Sequence, residues 1–207
     1  MAGFRNRDMS VERELAMFMD KHLYSDGRFA RHDRTDDVHS QLNGSDIILS
    51  VPSMGLDNII VDEKGMTQYM TRPLPTFALE LSFMRYEEVI TGWFVDDDKA
   101  TEYYMFLWPK ANQDWNATIG DFSEVEYMLV PKKAIRDYLA KEGWTKEALI
   151  KKSEEIRRNG VSGQIDKTED KDYWFFYTTK LVEKPINIVL RKKIYRQLAV
   201  LSGVIRV

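Results

Sequence analysis

Short runs of β-branched and apolar residues, each stopped by proline or glycine, constrain the fold of this chain more than any other feature. The run 46–51 stops at Pro52, and the run 59–64 stops at Gly65. Such runs are typical of β-strands, and the Pro, Ser, Gly and Asn residues between them are typical of turns. We therefore expect 46–51 and 59–64 to form two neighbouring strands.

Further elements are predicted along the rest of the chain. The strands are expected at 77–83, 89–95, 101–108, 172–179 and 186–190. The helices are expected at 10–23, 132–141, 145–159 and 191–201, the first with Ser10 as its N-cap. The polar stretch 25–41 predicts an irregular segment.

The length of 207 residues, without an internal repeat or a long linker, predicts a single α/β domain over 1–207, because domains commonly have about 150 residues. Within it we distinguish a core at about 10–110, a helical hairpin at 131–160, and a C-terminal strand and basic helix at 172–207.

The absence of cysteine excludes disulfides, thiolate zinc sites and iron–sulfur clusters. His22, His32 and His39 lack the spacing of zinc motifs, and His39 lies nearest in sequence to Asp46. Any metal is therefore expected on oxygen or imidazole ligands. No apolar run reaches about 18 residues, and the charged start does not resemble a signal peptide. We expect a cytoplasmic protein with no membrane partner.

Charge is distributed unevenly along the chain. Residues 41–130 contain 5 basic and 15 acidic side chains, whereas 180–207 contain 7 basic and 1 acidic. One interpretation is that the acidic part holds divalent cations and the basic part contacts a polyanion. The other is surface charge without a specific function, and the sequence leaves both open.

Asp46, Asp62 and Lys64 lie on the two neighbouring strands and could form one cluster. Side chains alternate along a strand, so Asp62 and Lys64 share a face roughly 6.6 Å apart, while Glu63 points the other way. Pairing of the strands would bring Asp46 to the same end. Carboxylates repel each other, so Lys64 or a divalent cation must stabilise the cluster. Oxygen ligation favours Mg²⁺ or Mn²⁺. Glu12, on the apolar stripe of the first helix, is predicted to face inward.

Carboxylates that bind a metal, with a lysine beside them, are the groups that phosphodiester hydrolysis requires. A metal must acidify water and neutralise the charge that grows on the phosphate. Asp46 and Asp62 would hold this metal with help from the backbone carbonyl of Glu63, and Lys64 would orient or deprotonate the attacking water. Glu12 would take an auxiliary role. The alternative is a solvated strand end at which Lys64 simply pairs with Asp62.

The segment Gly44–Leu49, together with Asp62-Glu63-Lys64 beginning 16 residues after Asp46, resembles the PD-(D/E)xK signature of the restriction-endonuclease-like nuclease superfamily. The resemblance covers about the first third of the chain. It implies a central mixed β-sheet flanked by helices and a magnesium-dependent hydrolase acting on DNA. It also implies that Asp46 and Asp62 are metal ligands, Lys64 the catalytic lysine and Glu12 the auxiliary helix acid. The sequence departs from the signature in having Ser45 where proline is usual and aspartate at 62 where glutamate is commoner.

A second register of the motif is also open. Glu80 lies within the apolar run 77–83 and could be a further metal ligand, with Asp62 taking the role given above to Asp46. Ser82 then stands where the lysine should be, which argues against this register as the primary motif.

Other residues are candidates for nucleic-acid contact. Gln68 and Tyr69 follow the motif closely, and the last predicted helix carries Arg191, Lys192, Lys193 and Arg196. The aromatic run Tyr173–Tyr177 could stack on bases or simply fill the core. We expect a DNA nuclease of restriction, repair or mobile-element type, with a homodimer if it cuts both strands. The alternative is a catalytically silent nuclease-like fold that binds nucleic acid or a protein.

Overall fold

The computed structural model describes residues 2–35 and 43–207, so His39 lies outside the described residues. The chain divides into two compact units. The first comprises Met1–Leu74, Ala100–Lys132 and Ala199–Val207, and the second comprises Pro75–Lys99 and Lys133–Leu198.

Eleven strands and four α-helices are present in the described residues. The strands are β1 (Arg31–Arg34), β2 (Ile47–Val51), β3 (Leu56–Gly65), β4 (Thr76–Arg85), β5 (Glu88–Thr91), β6 (Tyr103–Ala111), β7 (Phe122–Pro131), β8 (Gly163–Ile165), β9 (Tyr173–Tyr177), β10 (Ile186–Arg191) and β11 (Leu201–Arg206). The helices are α1 (Ala2–Met19), α2 (Lys132–Lys141), α3 (Lys146–Asn159) and α4 (Lys192–Leu198). A π-helical turn, Asp20–Tyr24, continues α1.

The first unit contains a mixed six-stranded sheet in the order β1-β2-β3-β6-β7-β11. Strands β2 and β3 are antiparallel neighbours, as predicted, with Ile47 opposite Val61. Strands β3 and β6 run parallel, with Asp62 opposite Tyr104. The predictions of an α/β protein and of a mixed sheet are therefore confirmed.

Helix α1 packs on one face of this sheet. Its residues Val11, Leu15 and Phe18 are buried in one apolar cluster with residues of β2, β3 and β7. The approach is close, because a Cβ atom added to Gly65 would lie 2.7 Å from Leu15 Cδ2. The ring of Phe18 contacts that of Phe122 edge-on at 5.5 Å between centroids. This packing fixes α1 against the end of β3 that carries Asp62 and Lys64.

The second unit contains a five-stranded antiparallel sheet in the order β5-β4-β10-β9-β8. Four of the five aromatic residues of β9 are buried, so this strand belongs to the core. The ends of α3 follow local rules. Thr145 caps its start by accepting a hydrogen bond from the backbone of Ala148, and Gly160 ends it at φ 69°.

The first helix and the stretch 25–41 differ from the sequence prediction. Helix α1 begins at Ala2 rather than at Ser10. The residues before Ser10 include no proline, so the helix can extend through them. The segment predicted as irregular contains β1, a mostly exposed edge strand whose polar residues show no apolar alternation.

Three further strands of the first sheet also differ. Strand β6 continues through Pro109 to Ala111, and the register with β7 shifts between Lys110 and Ala111, after that proline. Strand β7 was not predicted, although Val125, Tyr127 and Leu129 alternate along it. The last predicted helix ends at Leu198, and β11 follows. Among the described helices, none is both long enough and apolar enough to cross a bilayer.

Candidate functional site

Strand pairing brings Asp46 to the middle of β3. Its backbone N–H donates to the carbonyl of Val61 at 3.0 Å, which extends the β2–β3 ladder by one residue. Its carboxyl Oδ2 accepts a hydrogen bond from the backbone N–H of Glu63 at 2.8 Å. Two backbone contacts therefore hold the Asp46 carboxyl against the strand that carries Asp62.

Asp62 and Lys64 form an ion pair on one face of β3. Lys64 Nζ lies 2.7 Å from Asp62 Oδ1. The Asp62 side chain is only 4% exposed and that of Lys64 is 26% exposed. The two-residue spacing gives the two side chains the same face, as strand geometry requires. The nearly buried Asp62 carboxylate is thus paired with an ammonium that is partly exposed to solvent.

The carboxyl groups of Asp46 and Asp62 hydrogen-bond each other. Burial, followed by the charge of Asp62 and this hydrogen bond, raises the pKa of Asp46 to about 8, although Lys64 and the Glu63 N–H oppose the shift. Two carboxyl groups in contact hold a proton between them when no cation replaces it. At neutral pH the pair therefore holds one proton, which a bound cation would replace.

Lys64 is an ammonium in this setting. Burial lowers its pKa, but the charges of Asp62 and Asp46 outweigh burial, and Glu12 adds to them, so the net shift is upward. Glu12 itself is exposed, and the prediction that it faces inward is wrong. Val11 and Leu15 cover the sheet instead, and the charge of Glu12 acts on Lys64.

The opposite face of β3 carries a separate charged network. The Glu63 carboxylate accepts a hydrogen bond from the Tyr24 hydroxyl at 2.7 Å and pairs with Arg34. Arg34 also pairs with Asp20 at 2.7 Å and donates to the carbonyl of Ala16 at 3.0 Å. The side chain of Glu63 is thereby committed to this face, and the metal role predicted for Glu63 concerns its backbone carbonyl alone.

Gly44 and Thr101 also contribute to the site, although neither was predicted from the sequence. Thr101 Oγ1 donates to the carbonyl of Gly44 at 2.8 Å. Gly44 has φ 74°, and a Cβ added there would lie 2.2 Å from Thr101 Oγ1 and 3.5 Å from Asp62 Oδ2. Only glycine lets the chain pass this close to the carboxyl pair. A glycine two residues before the key aspartate is the sequence feature that could have indicated this contact.

Several predicted residues do not join the cluster formed by Asp46, Asp62 and Lys64. Glu80 lies on β4 in the other sheet, where it pairs with Asn187. Gln68 and Tyr69 are exposed directly after β3.

The four cations predicted to contact nucleic acid lie at the end of β10 and on α4. Arg191 and Lys193 both approach Asp172 Oδ1, at 3.4 Å and 2.7 Å, so this carboxylate offsets part of their charge. Lys192 is partly exposed and Arg196 is exposed.

Comparison with known protein families, curated proteins and solved structures found no match. Within residues 2–35 and 43–207, no group of three or more histidine or acidic side chains is arranged to hold a metal ion. The site therefore rests on one carboxyl pair, one lysine and the strands that position them. Two carboxylates remain compatible with Mg²⁺, which often binds one or two carboxylates and keeps several waters for the remaining positions.

Proposed function

We propose that this protein is a metal-dependent nuclease that hydrolyses phosphodiester bonds in DNA at Asp46, Asp62 and Lys64. The observation that carries the proposal is the contact between the Asp46 and Asp62 carboxyl groups beside the Lys64 ammonium. Paired, buried carboxylates are costly to a fold, and such costs are characteristic of functional sites.

The donor set supports Mg²⁺ or Mn²⁺ as the cofactor. Asp46 and Asp62 offer carboxylate oxygens, the ligand type that hard divalent cations prefer, and Glu63, whose backbone carbonyl is the third predicted ligand, directly follows Asp62. A cation held there would replace the shared proton and relieve the repulsion that raises the pKa of Asp46. When bound, the metal supplies charge neutralisation at the phosphate and makes water more acidic.

Lys64 has the properties of a group that orients water and stabilises charge. Its ammonium is held by Asp62 and is partly exposed, so it can approach a phosphate oxygen or a water without leaving the strand. An ammonium donates hydrogen bonds and accepts none, which suits the stabilisation of negative charge growing on phosphate. Glu12 contributes negative charge that keeps Lys64 protonated.

The order of elements supports a restriction-endonuclease-like core. An acid-bearing helix, α1, comes first, followed by the strand that Asp46 precedes and then the strand that carries Asp62 and Lys64. The sheet they share is mixed. Gln68 and Tyr69, which are exposed directly after β3, would contact the substrate, and the exposed cations of α4 would contact phosphates. Cleavage of both DNA strands would use two copies of the chain.

The proposal is tested by DNA cleavage. Plasmid and single-stranded DNA are incubated with the purified protein and either Mg²⁺, Mn²⁺ or EDTA. We expect cleavage with the metals that disappears in EDTA and falls at least roughly a hundredfold in Asp62→Asn and Lys64→Met. Asp33→Asn is the matched control, since Asp33 lies exposed on β1 of the same unit. Equal cleavage by all three variants would contradict the proposal.

A second candidate is a catalytically silent module of the same fold that binds nucleic acid or a protein partner. It is favoured by one observation, that the described residues offer no group of three or more potential ligand side chains. This candidate predicts DNA binding that weakens with salt by a log–log slope of about −0.9 per phosphate contact, with no product formed in any metal. Measuring binding and cleavage on the same preparation separates the two functions.

A further inference from the structure

The second unit contains a pocket of about 520 Å³ between strands β4 and β5 and helix α3. Its walls are apolar where Leu81, Val89, Ile90 and Ile150 line it. A volume of this size is typical of small-molecule sites, which combine apolar walls with a few convergent polar groups.

Arg157 is the principal polar group of this pocket. Its Nη1 donates to the carbonyl of Lys184 at 3.1 Å, and its Nη2 donates to Ser82 Oγ at 2.7 Å. Its guanidinium also stacks over the ring of Tyr177 at 5.6 Å from the centroid. These contacts fix the guanidinium in one orientation, so little side-chain entropy remains to be lost when a ligand binds.

Among the described residues, no acidic side chain forms an ion pair with Arg157. In the described part of the chain it contacts the Lys184 carbonyl, the Ser82 hydroxyl and the Tyr177 side chain, with which it also forms a hydrogen bond. Its buried Nε has no hydrogen-bond acceptor there. Desolvation lowers its pKa, as expected for a cation withdrawn from water without an anion. Glu154 lines the same pocket but is exposed, and the acidic residue after it, Glu155, pairs with Lys152.

Two buried hydroxyl groups lie next to this cation. Ser82 and Ser153 are 5% and 3% exposed, and their Oγ atoms lie 2.7 Å apart. A hydroxyl rotates freely and can donate to an anion without a change of backbone. Arg158 and Thr91 add a second cation and a third hydroxyl at the lining. Donors therefore converge at one end of the pocket, and apolar walls form the rest.

We propose that this pocket binds a small organic oxyanion, a phosphate monoester or a carboxylate attached to an apolar body. Arg157, Ser82 and Ser153 hold the oxyanion, and Leu81, Val89, Ile90 and Ile150 contact the body. An anion would supply the charge partner that the fixed Arg157 guanidinium does not have among the described residues, and a planar guanidinium matches carboxylate and phosphate geometry. All of these residues belong to the second unit, so the inference is independent of the nuclease proposal.

The test follows backbone amide signals by NMR during titration of the full chain with phenyl phosphate, benzoate, inorganic phosphate or sodium chloride at matched ionic strength. We expect shifts at residues 81–82, 89–91 and 150–158 with both organic anions, and about tenfold weaker binding of inorganic phosphate because it lacks an apolar body. Phenyl phosphate and benzoate distinguish a phosphate site from a carboxylate site.

Variants locate the interaction. Arg157→Gln should weaken binding of the organic anions by at least about tenfold, since a charge-assisted pair is lost. Lys151→Gln is the matched control, because Lys151 is an exposed cation on the same helix outside the pocket. Equal weakening in both variants would show nonspecific charge attraction and overturn the proposal.

The wild-type protein also decides the outcome if Arg157→Gln does not fold. The proposal is overturned if the amide signals of the pocket residues do not shift at roughly 20 mM phenyl phosphate or benzoate. It is also overturned if sodium chloride causes the same shifts. The Arg157→Lys variant keeps the charge but removes the planar fork. It should fold and bind with intermediate affinity.

Discussion

At the scale of single residues, Asp46 is the side chain whose environment departs most from that of an ordinary surface carboxylate. Burial and the neighbouring Asp62 raise its pKa from 3.8 to about 8. The folded protein therefore favours the protonated form of Asp46 between these values, whereas the unfolded chain does not. The stability that depends on this proton is fully present below about pH 4 and is lost as the pH rises through about 8.

Replacing Asp46 by asparagine should remove this pH dependence. The wild-type free energy of unfolding should fall with rising pH by up to about 1.4 kcal/mol per unit between pH 5 and 8 in EDTA, and the slope should flatten in Asp46→Asn. The variant should therefore be more stable than the wild type at pH 8 while losing cleavage. Urea unfolding at several pH values measures the slopes, with Asp33→Asn as control. Identical slopes in wild type and Asp46→Asn would contradict the assignment.

Gly44 is the second residue with a specific steric requirement, and Gly55 provides a matched comparison. Both have positive φ, 74° and 67°, but a Cβ at Gly55 would meet no atom within 4 Å. Gly55→Ala should therefore lose about 1 kcal/mol of unfolding free energy, from backbone conformation alone. Gly44→Ala should lose more than about 2 kcal/mol because it also displaces Thr101, and should reduce cleavage. Equal losses measured by urea unfolding would show that the approach to Thr101 is not restrictive.

At the scale of elements, local patterns predicted β2, β3, α2 and α3 well, because each shows a clear period and is stopped by its own Pro, Gly or Thr residues. Strand alternation also predicted that Asp62 and Lys64 share a face, so the centre of the candidate site follows from local sequence. Strand β1 could not be predicted this way, because its residues are polar and its place depends on contacts of Arg34 with Asp20 and Glu63, far away in sequence. The contact of Gly44 with Thr101 is equally nonlocal.

The Arg34 network should be a major stabilising feature of the first unit. Burial lowers the pKa of Arg34, but Glu63 and Asp20 outweigh it and the net shift is upward. Arg34→Ala leaves the Glu63 carboxylate, only 9% exposed, without its cation. We expect a loss of about 3–5 kcal/mol in the free energy of unfolding. Arg31→Ala, which breaks an exposed pair with Asp33 on the same strand, should cost less than about 1 kcal/mol. Urea unfolding measures both losses. If Arg34→Ala and Arg31→Ala lose similar amounts of unfolding free energy, the Arg34 network is not a major stabilising feature.

At the scale of the whole molecule, the two units carry different chemistry. The carboxyl pair and Lys64 lie in the first, whereas the Arg157 pocket and the cations at 191–196 lie in the second. The sequence showed the uneven charge but could not show this division, because the second unit is assembled from two separate stretches of chain. The acidic stretch 41–130 and the basic stretch 180–207 therefore do not correspond to the two units.

The exposed cation Arg196 gives a prediction for DNA binding. Arg196→Gln should reduce the slope of log affinity against log salt by about 0.9 if this side chain contacts a phosphate. Arg206→Gln is the control, because Arg206 pairs with Glu124 at 2.8 Å on β7. Fluorescence anisotropy of a labelled duplex in EDTA, at several salt concentrations, measures both slopes. An unchanged slope in Arg196→Gln would remove α4 from the DNA-binding surface.

Calorimetric titration of the metal-free protein with Mn²⁺ and Mg²⁺ tests the central claim most directly, since it requires no substrate. The carboxyl pair predicts saturable binding at one class of site in the wild type and in Asp33→Asn, and loss of that binding in Asp46→Asn and Asp62→Asn. Heats that do not differ between the wild type and the two site variants would show that Asp46 and Asp62 hold a shared proton and not a catalytic cation.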